Sequence, residues 1–207
     1  MPEKSRAGRP RGSKKEDTLK RLLPEARKQF SEKGYAQTTF KDVGKAIGVS
    51  HAALYSYFSS KMDLYLATVE DTQAQLFHHY LDAFEMEAPL KDKISHVLMS
   101  MAREHDKDPT ITGLLAAIPI EMRRHSELEE ALVDTNNAIM SGLVAMFEEA
   151  KAEGEIISDA SGADLISALL GGGVGVALFG YGMPDGDLTS RMEVFVSLIQ
   201  SQLFKPN

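Results

Sequence analysis

The sequence predicts an all-α protein: an N-terminal three-helix helix-turn-helix domain followed by a helical-bundle domain. Three observations predict it. Apolar residues recur at helical spacing along most of the 207 residues, no run alternates cleanly with period two, and Ser, Thr, Gly and Pro fall where helices should begin and end. At about 100–200 residues per domain, the length allows one large domain or two small ones. Hydrophobic residues are 43% and charged residues 26%, as in an ordinary globular protein, and there is no cysteine. Disulfide scaffolds, thiolate metal sites and cysteine nucleophiles are therefore excluded.

Residues 1–15 carry six basic groups and two prolines without periodic apolar residues, so they read as a flexible basic arm rather than a secretory signal. Ser13 with Glu16 has capping-box spacing, and Leu19, Leu22, Leu23, Ala26 and Phe30 continue as one helical stripe to a stop at Gly34. Pro24 either kinks this helix or restarts it, and the sequence leaves both open. Thr39 caps a helix over Phe40–Ile47, Gly48 makes the turn, Ser50 caps His51–Phe58, and Ser60 caps a helix from Lys61 toward Met86. Further helices are expected at about 90–107, 110–125 (broken near Pro119), 127–153, 160–181 and 188–204, separated at Pro109, Ser126, Gly154 and the Pro184-Asp185-Gly186 turn. The expected division is an arm at 1–15, a helix-turn-helix domain at 16–66 and a bundle at 67–207.

Charge separates the two ends. The net charge of −7 and pI of about 5.4 conceal 14 Lys and Arg against 7 Asp and Glu in residues 1–67, and 9 against 23 in the remainder. A head of +7 can meet a polyanion while a body of −14 is repelled from it.

Residues 38–61 read TTFKDVGKAIGVSHAALYSYFSSK: a short helix, a glycine turn, and a serine-capped second helix. Val43, Ile47, Val49, Leu54 and Phe58 can pack the two at a fixed angle, leaving His51, Ala52, Ala53, Tyr55 and Tyr57 outward. Small residues at the tip allow deep entry into a major groove, His51 can read a base edge, and alanine methyls can touch thymine methyl. Thr39 and Lys61 at helix starts, and the tyrosine hydroxyls, can meet phosphate. An ordinary capped three-helix core explains the turn alone, but not its coincidence with a basic head and arm.

The stretch from about Leu22 to Leu66 resembles the DNA-binding domain of TetR-family transcriptional regulators. The matching residues are Ala26, Phe30, Gly34-Tyr35, Thr38-Thr39, Asp42-Val43, Ala46-Ile47-Gly48-Val49-Ser50, Leu54-Tyr55, Tyr57-Phe58, Lys61 and Leu64. Pro24 and Gly44 depart from the pattern, where a helix former and alanine are more usual. The resemblance implies a cytoplasmic homodimer that binds palindromic double-stranded operator DNA and, as a repressor, releases it when a small-molecule effector occupies the C-terminal domain. It carries over Thr39, Ser50, His51, Ala52, Ala53, Tyr55, Tyr57 and Lys61 as the DNA-facing set, with Ser50 mainly a cap. Arg9 and Arg11 of the arm either enter an A·T minor groove or belong to a solubilising tail; the sequence favours neither.

Leu165–Pro184 holds twenty uncharged residues, six of them glycine, without a flanking basic anchor. This reads as a covered helix–helix seam rather than a membrane span. The resemblance places two such helices per subunit in a four-helix dimer interface, for which Leu165, Ala168, Gly171, Gly172, Gly175 and Leu178, with Phe195 and Ile199, are the expected residues; glycines making room for a ligand is the alternative. Methionines at helical spacing suit either plain core or an adaptable pocket. His96, Met99, Arg103, Glu121, Met122, Asn136 and Met140 are the effector candidates. His78-His79 is a poor metal pair, and no HExxH, P-loop or Gly-x-Ser-x-Gly motif occurs. No cofactor, metal or catalytic group is expected.

Overall fold

The computed structural model describes residues 11–203 except 184, and most side chains from residue 16 onward. The described residues form helices and no extended sheet: α1 (Arg11–Gln37), α2 (Phe40–Ile47), α3 (His51–Leu54), α4 (Lys61–Glu85), α5 (Leu90–Lys107), α6 (Thr110–Arg124), α7 (Ser126–Ala152), α8 (Gly162–Gly180) and α9 (Leu188–Leu203). Two compact units divide within α4, the first ending at Asp71 and the second beginning at Thr72.

Sequence spacing located most of these elements, with one open alternative decided and three corrections. Pro24 lies inside α1, whose one non-helical residue is Gly34 at φ 77°, so the helix runs through the proline without restarting. Pro24 and Lys20 are both exposed, which puts the carbonyl that loses its donor on the wet side. Pro119 likewise sits on the exposed side of an unbroken α6. The helix α1 already includes Arg11–Lys15, residues read as arm. Finally, α3 is one turn long rather than reaching Phe58; beyond Leu54 the chain continues in turns closed by Ser56 N–H to Ala53 O and Tyr57 N–H to Leu54 O.

In the first unit Leu22, Ala26 and Phe30 of α1 are buried with Val43 of α2, Leu54 of α3 and Leu64 of α4. Phe30, Tyr35 and Tyr65 form an aromatic cluster, with the Phe30 and Tyr65 rings edge to face at 4.9 Å. The hydroxyl of fully buried Thr38 lies 2.9 Å from Gly34 O and 3.0 Å from Gln29 O, which closes the break at Gly34 against α1.

The second unit has two apolar clusters. Phe147 and Ala150 of α7 meet Leu165, Ile166 and Leu169 of α8; Leu98 and Ala102 of α5 meet Ala177 of α8 with Leu188 and Met192 of α9. The helix α8 is long and apolar enough to cross a membrane by length and composition alone, yet its inward face belongs to both clusters.

Asp106 of α5 fastens the start of α9. Its carboxylate accepts from Leu188 N–H at 2.8 Å, Thr189 N–H at 3.0 Å and the Thr189 hydroxyl at 2.6 Å. Burial opposes its ionisation, but the bonds from Thr189 and Leu188 outweigh burial and hold its pKa below the ordinary carboxylate value. Asp106→Ala should therefore cost about 1–2 kcal/mol at neutral pH, as loss of a helix cap does. A lowered carboxyl pKa stabilises the fold above the unfolded value and ceases to do so as pH falls through the folded one. Chemical denaturation of both proteins at pH 7 and pH 3 should show the difference shrinking at acid pH.

Candidate nucleic-acid interface

The turn between α2 and α3 is built from glycine geometry. Gly48 adopts φ 71°, and its N–H reaches Lys45 O while Val49 N–H reaches Gly44 O at 2.8 Å, a Schellman closure of α2. Gly44 is where α2 comes nearest the turn: a Cβ there would lie 2.6 Å from Val49 O and 3.2 Å from a Leu54 methyl. The departure from the usual alanine thus has a local reason, since this backbone leaves no room for a methyl.

Each helix of the motif is capped from its own side chains. Thr39 Oγ1 accepts from Asp42 N–H at 3.2 Å and donates to Asp42 Oδ2 at 2.7 Å, and this hydroxyl bond heads the reasons that the Asp42 carboxyl lies below its ordinary pKa. A phosphate at Thr39 would have to compete with that carboxylate for the hydroxyl proton. Ser50 Oγ accepts from Ala53 N–H at 3.2 Å, so its cap role is realised in the geometry.

The tip of α3 presents His51 and Ala52 exposed and Ala53 half-buried. Three rings support it: Phe40 lies 4.9 Å from Tyr55, Tyr55 lies 5.1 Å from His51, and Phe40 lies 6.2 Å from His51. Buried Phe40 therefore props Tyr55, which is 53% exposed, and both fix the imidazole at the helix start. Phe40 is a positioning residue that the spacing of the motif does not single out. Tyr57 is half-buried beyond α3.

Lys61 is placed differently from the expectation that it reaches for phosphate. Its Nζ donates to Tyr35 O at 2.9 Å and Ala36 O at 3.0 Å and sits 4.5 Å from the Tyr35 ring centre. The carbonyls at the end of α1 attract the ammonium as any helix C-terminus does, so Lys61 joins α4 to α1. Arg9 lies outside the described residues, as does the side chain of Arg11.

A cavity of about 50 Å³ opens in the second unit, room for several waters. Its wall is almost wholly apolar and includes Ile94, Val97 and Leu98 of α5, Met146 and Phe147 of α7, and Tyr80 of α4. None of His96, Met99, Arg103, Glu121, Met122 and Met140 is among its described lining residues, and the side chain of Asn136 lies outside the description. The difference is one of helix phase. On α5 the stripe Ile94-Val97-Leu98 faces the cavity, while Arg103 donates to Ser100 at 2.8 Å. Buried Glu121 is 3.4 Å from His125, the residue just past the end of its helix. Charge and methionine content pointed to other helix faces: Arg103 pairs with Ser100, Met99 packs on the cluster of α5, α8 and α9, and Met140 is exposed; an i, i+3, i+4 apolar stripe was the available signal.

The expected dimer residues divide between two faces. Leu165 is buried in the subunit core, Gly172 meets Phe195 (a Cβ would lie 2.5 Å from its Cζ), and Phe195 and Ile199 pack onto the clusters of their own subunit. Those four turn inward, because α9 already covers that side of α8. Ala168, Gly171 and Leu178 are exposed, Gly175 is half-buried, and a Cβ at Gly171 or Gly175 would meet nothing within 4 Å. Phe179, 77% exposed, and Leu178 continue this row on α8, and Val194 and Leu198 stand exposed on α9.

Comparison with known proteins agrees with this architecture. Residues 22–68 match the family model of bacterial regulatory proteins of the TetR family. The chain is 32% identical over 114 residues to the nucleoid occlusion factor SlmA of Mannheimia succiniciproducens, covering 55% of this chain and 53% of that protein. It is 28% identical over 94 residues to the biofilm operon icaADBC negative transcriptional regulator IcaR of Staphylococcus epidermidis, covering 45% and 40%. The chain thus spans about half the length of the curated relatives it matches. Among solved structures, Salmonella enterica GusR superposes with a TM-score of 0.66 at 27% identity, covering 90% of this chain and 95% of that one. The ketosteroid regulator KstR2 of Mycobacterium tuberculosis shares the fold at TM-score 0.73 and 17% identity, covering 97% and 99%. The capped two-helix motif and the match over residues 22–68 make this segment similar to the DNA-binding domain of TetR-family transcriptional regulators, and the helical fold of the whole chain agrees with that likeness.

Proposed function

We propose that this protein is a cytoplasmic homodimeric repressor that holds a palindromic operator and releases it when a small molecule binds the second unit. Residues 1–15 act as a basic arm, 16–66 bind DNA, and 67–207 dimerise and bind the effector. The observation that carries the DNA-binding reading is the α3 tip: exposed His51 and Ala52, held by Phe40 and Tyr55, on a head of +7. Thr39, Ser50, Ala53, Tyr55, Tyr57 and Lys61 flank that tip and complete the DNA-facing set. The outward row Ala168, Gly171, Gly175 and Leu178 with Val194 and Leu198 supports dimerisation through α8 and α9. Effector and DNA compete by population shift, each favouring a different arrangement of the heads.

Selection from a randomised duplex pool followed by anisotropy titration tests the reading. His51→Ala should weaken binding to the selected site by about 1–3 kcal/mol and leave unrelated duplex nearly unchanged. Lys61→Ala should weaken both DNAs alike, lower the salt slope by about 1 per contact, and also lower the melting temperature, because two carbonyl bonds go with it. Equal loss on both DNAs for His51→Ala would mean that α3 does not read bases. A constitutive dimer without an effector is the second reading, and a protein whose operator affinity no small molecule alters would support it.

A further inference from the structure

The apolar cavity between α4, α5, α7 and α8 is the natural seat for the small molecule proposed above, and its wall narrows that ligand's chemistry. The described lining residues are apolar except Tyr80 and Lys93. Tyr80 directs its hydroxyl away to Met101 Sδ at 3.6 Å, and burial raises its pKa, so the phenol is not a site for charge. Lys93, in the first turn of α5, is half-buried, and its ammonium has no hydrogen bond or ion pair to a described residue. Since the wall is nearly devoid of polar surface, Lys93 must contribute its methylenes and carry its charge at the rim. A charged or strongly hydrated body would lose its water inside such a cavity without replacement bonds. An apolar body loses little, and an acidic group on its end would reach the ammonium without entering.

We propose that the cavity takes a small amphiphile with a hydrocarbon body and one carboxylate, the body seated against Val97, Leu98 and Phe147 and the carboxylate at Lys93. This rests on the cavity being the effector site, and the test separates the two claims. Octanoate, octan-1-ol and octylammonium are titrated into the full-length protein by calorimetry, below their aggregation thresholds. Octanoate should bind most tightly, octanol about fivefold more weakly, as for a partly exposed charge pair, and octylammonium more weakly still. Raised salt should shrink the gap between octanoate and octanol. Lys93→Gln should bring octanoate down to the affinity of octanol and leave octanol unchanged. Val97→Phe, checked for retained helix content and melting temperature, should abolish binding of all three by filling the cavity.

If octanol binds as well as octanoate, or Lys93→Gln leaves octanoate unaffected, the carboxylate inference is overturned while the cavity reading stands. If no probe binds, or if Val97→Phe binds them as the unaltered protein does, the cavity reading is overturned and the inference falls with it.

Discussion

Phe30→Ala should unfold the DNA-binding unit or bring it close to unfolding. Phe30 is 1% exposed and joins α1 to the Tyr35–Tyr65 pair, with ring centres at 6.2 and 4.9 Å. Truncating a buried phenylalanine typically costs about 3–5 kcal/mol, a large share of what a unit this small can have. The cavity cannot readily collapse, because Tyr35 and Tyr65 are also braced against each other at 5.2 Å. Denaturant titration followed by circular dichroism should show a first transition, from the N-terminal unit, moved to much lower denaturant. The later transition of the helical body should stay in place, since Phe30 belongs to the core of the first unit. DNA binding should be lost with the first transition. A single transition with an unchanged midpoint would show that the aromatic cluster does not hold the unit.

The second large effect is expected at Gly175. A Cβ built there meets nothing within 4 Å, so a side chain can leave this backbone without meeting its own subunit, and replacing glycine improves helix propensity. Whatever Gly175→Leu does to association therefore reports contact with another chain. If α8 packs against its symmetry mate, the added leucine overfills a close backbone approach and costs about 1–3 kcal/mol on each side of the two-fold. The dimer dissociation constant should rise roughly tenfold or more by sedimentation, with an unchanged monomer melting curve. Gly172→Leu is the contrasting variant: it drives Phe195 from its seat and should destabilise the subunit itself. An unchanged dimer for Gly175→Leu, or a monomer for the unaltered protein, would remove α8 from the interface.

Both predictions turn on which side of a helix a residue occupies, and there the sequence was uneven. The glycine-rich run announced a close approach, but not that Gly172 and Gly173 serve the subunit's own core while Gly171 and Gly175 stand open. The sequence-stripe reading placed Phe195 and Ile199 at the dimer face, and they pack inward. Helical periodicity identifies an apolar face without saying what covers it.

The sequence by itself determined the local grammar. Thr39 and Ser50 cap because their oxygens reach N–H groups three residues on, and Gly48 turns because it tolerates positive φ. Those effects act within a few residues, so spacing alone carries them, and with them the helix order and the helix-turn-helix. Tertiary structure decided what depends on partners distant in the chain. Lys61 looked like a free cation and is held by carbonyls 25 and 26 residues earlier. The effector candidates were chosen for polarity or as methionines, whereas the cavity is an apolar gap between α4, α5, α7 and α8. A gap is the space that several helices fail to fill together, and no single helix's residues encode it.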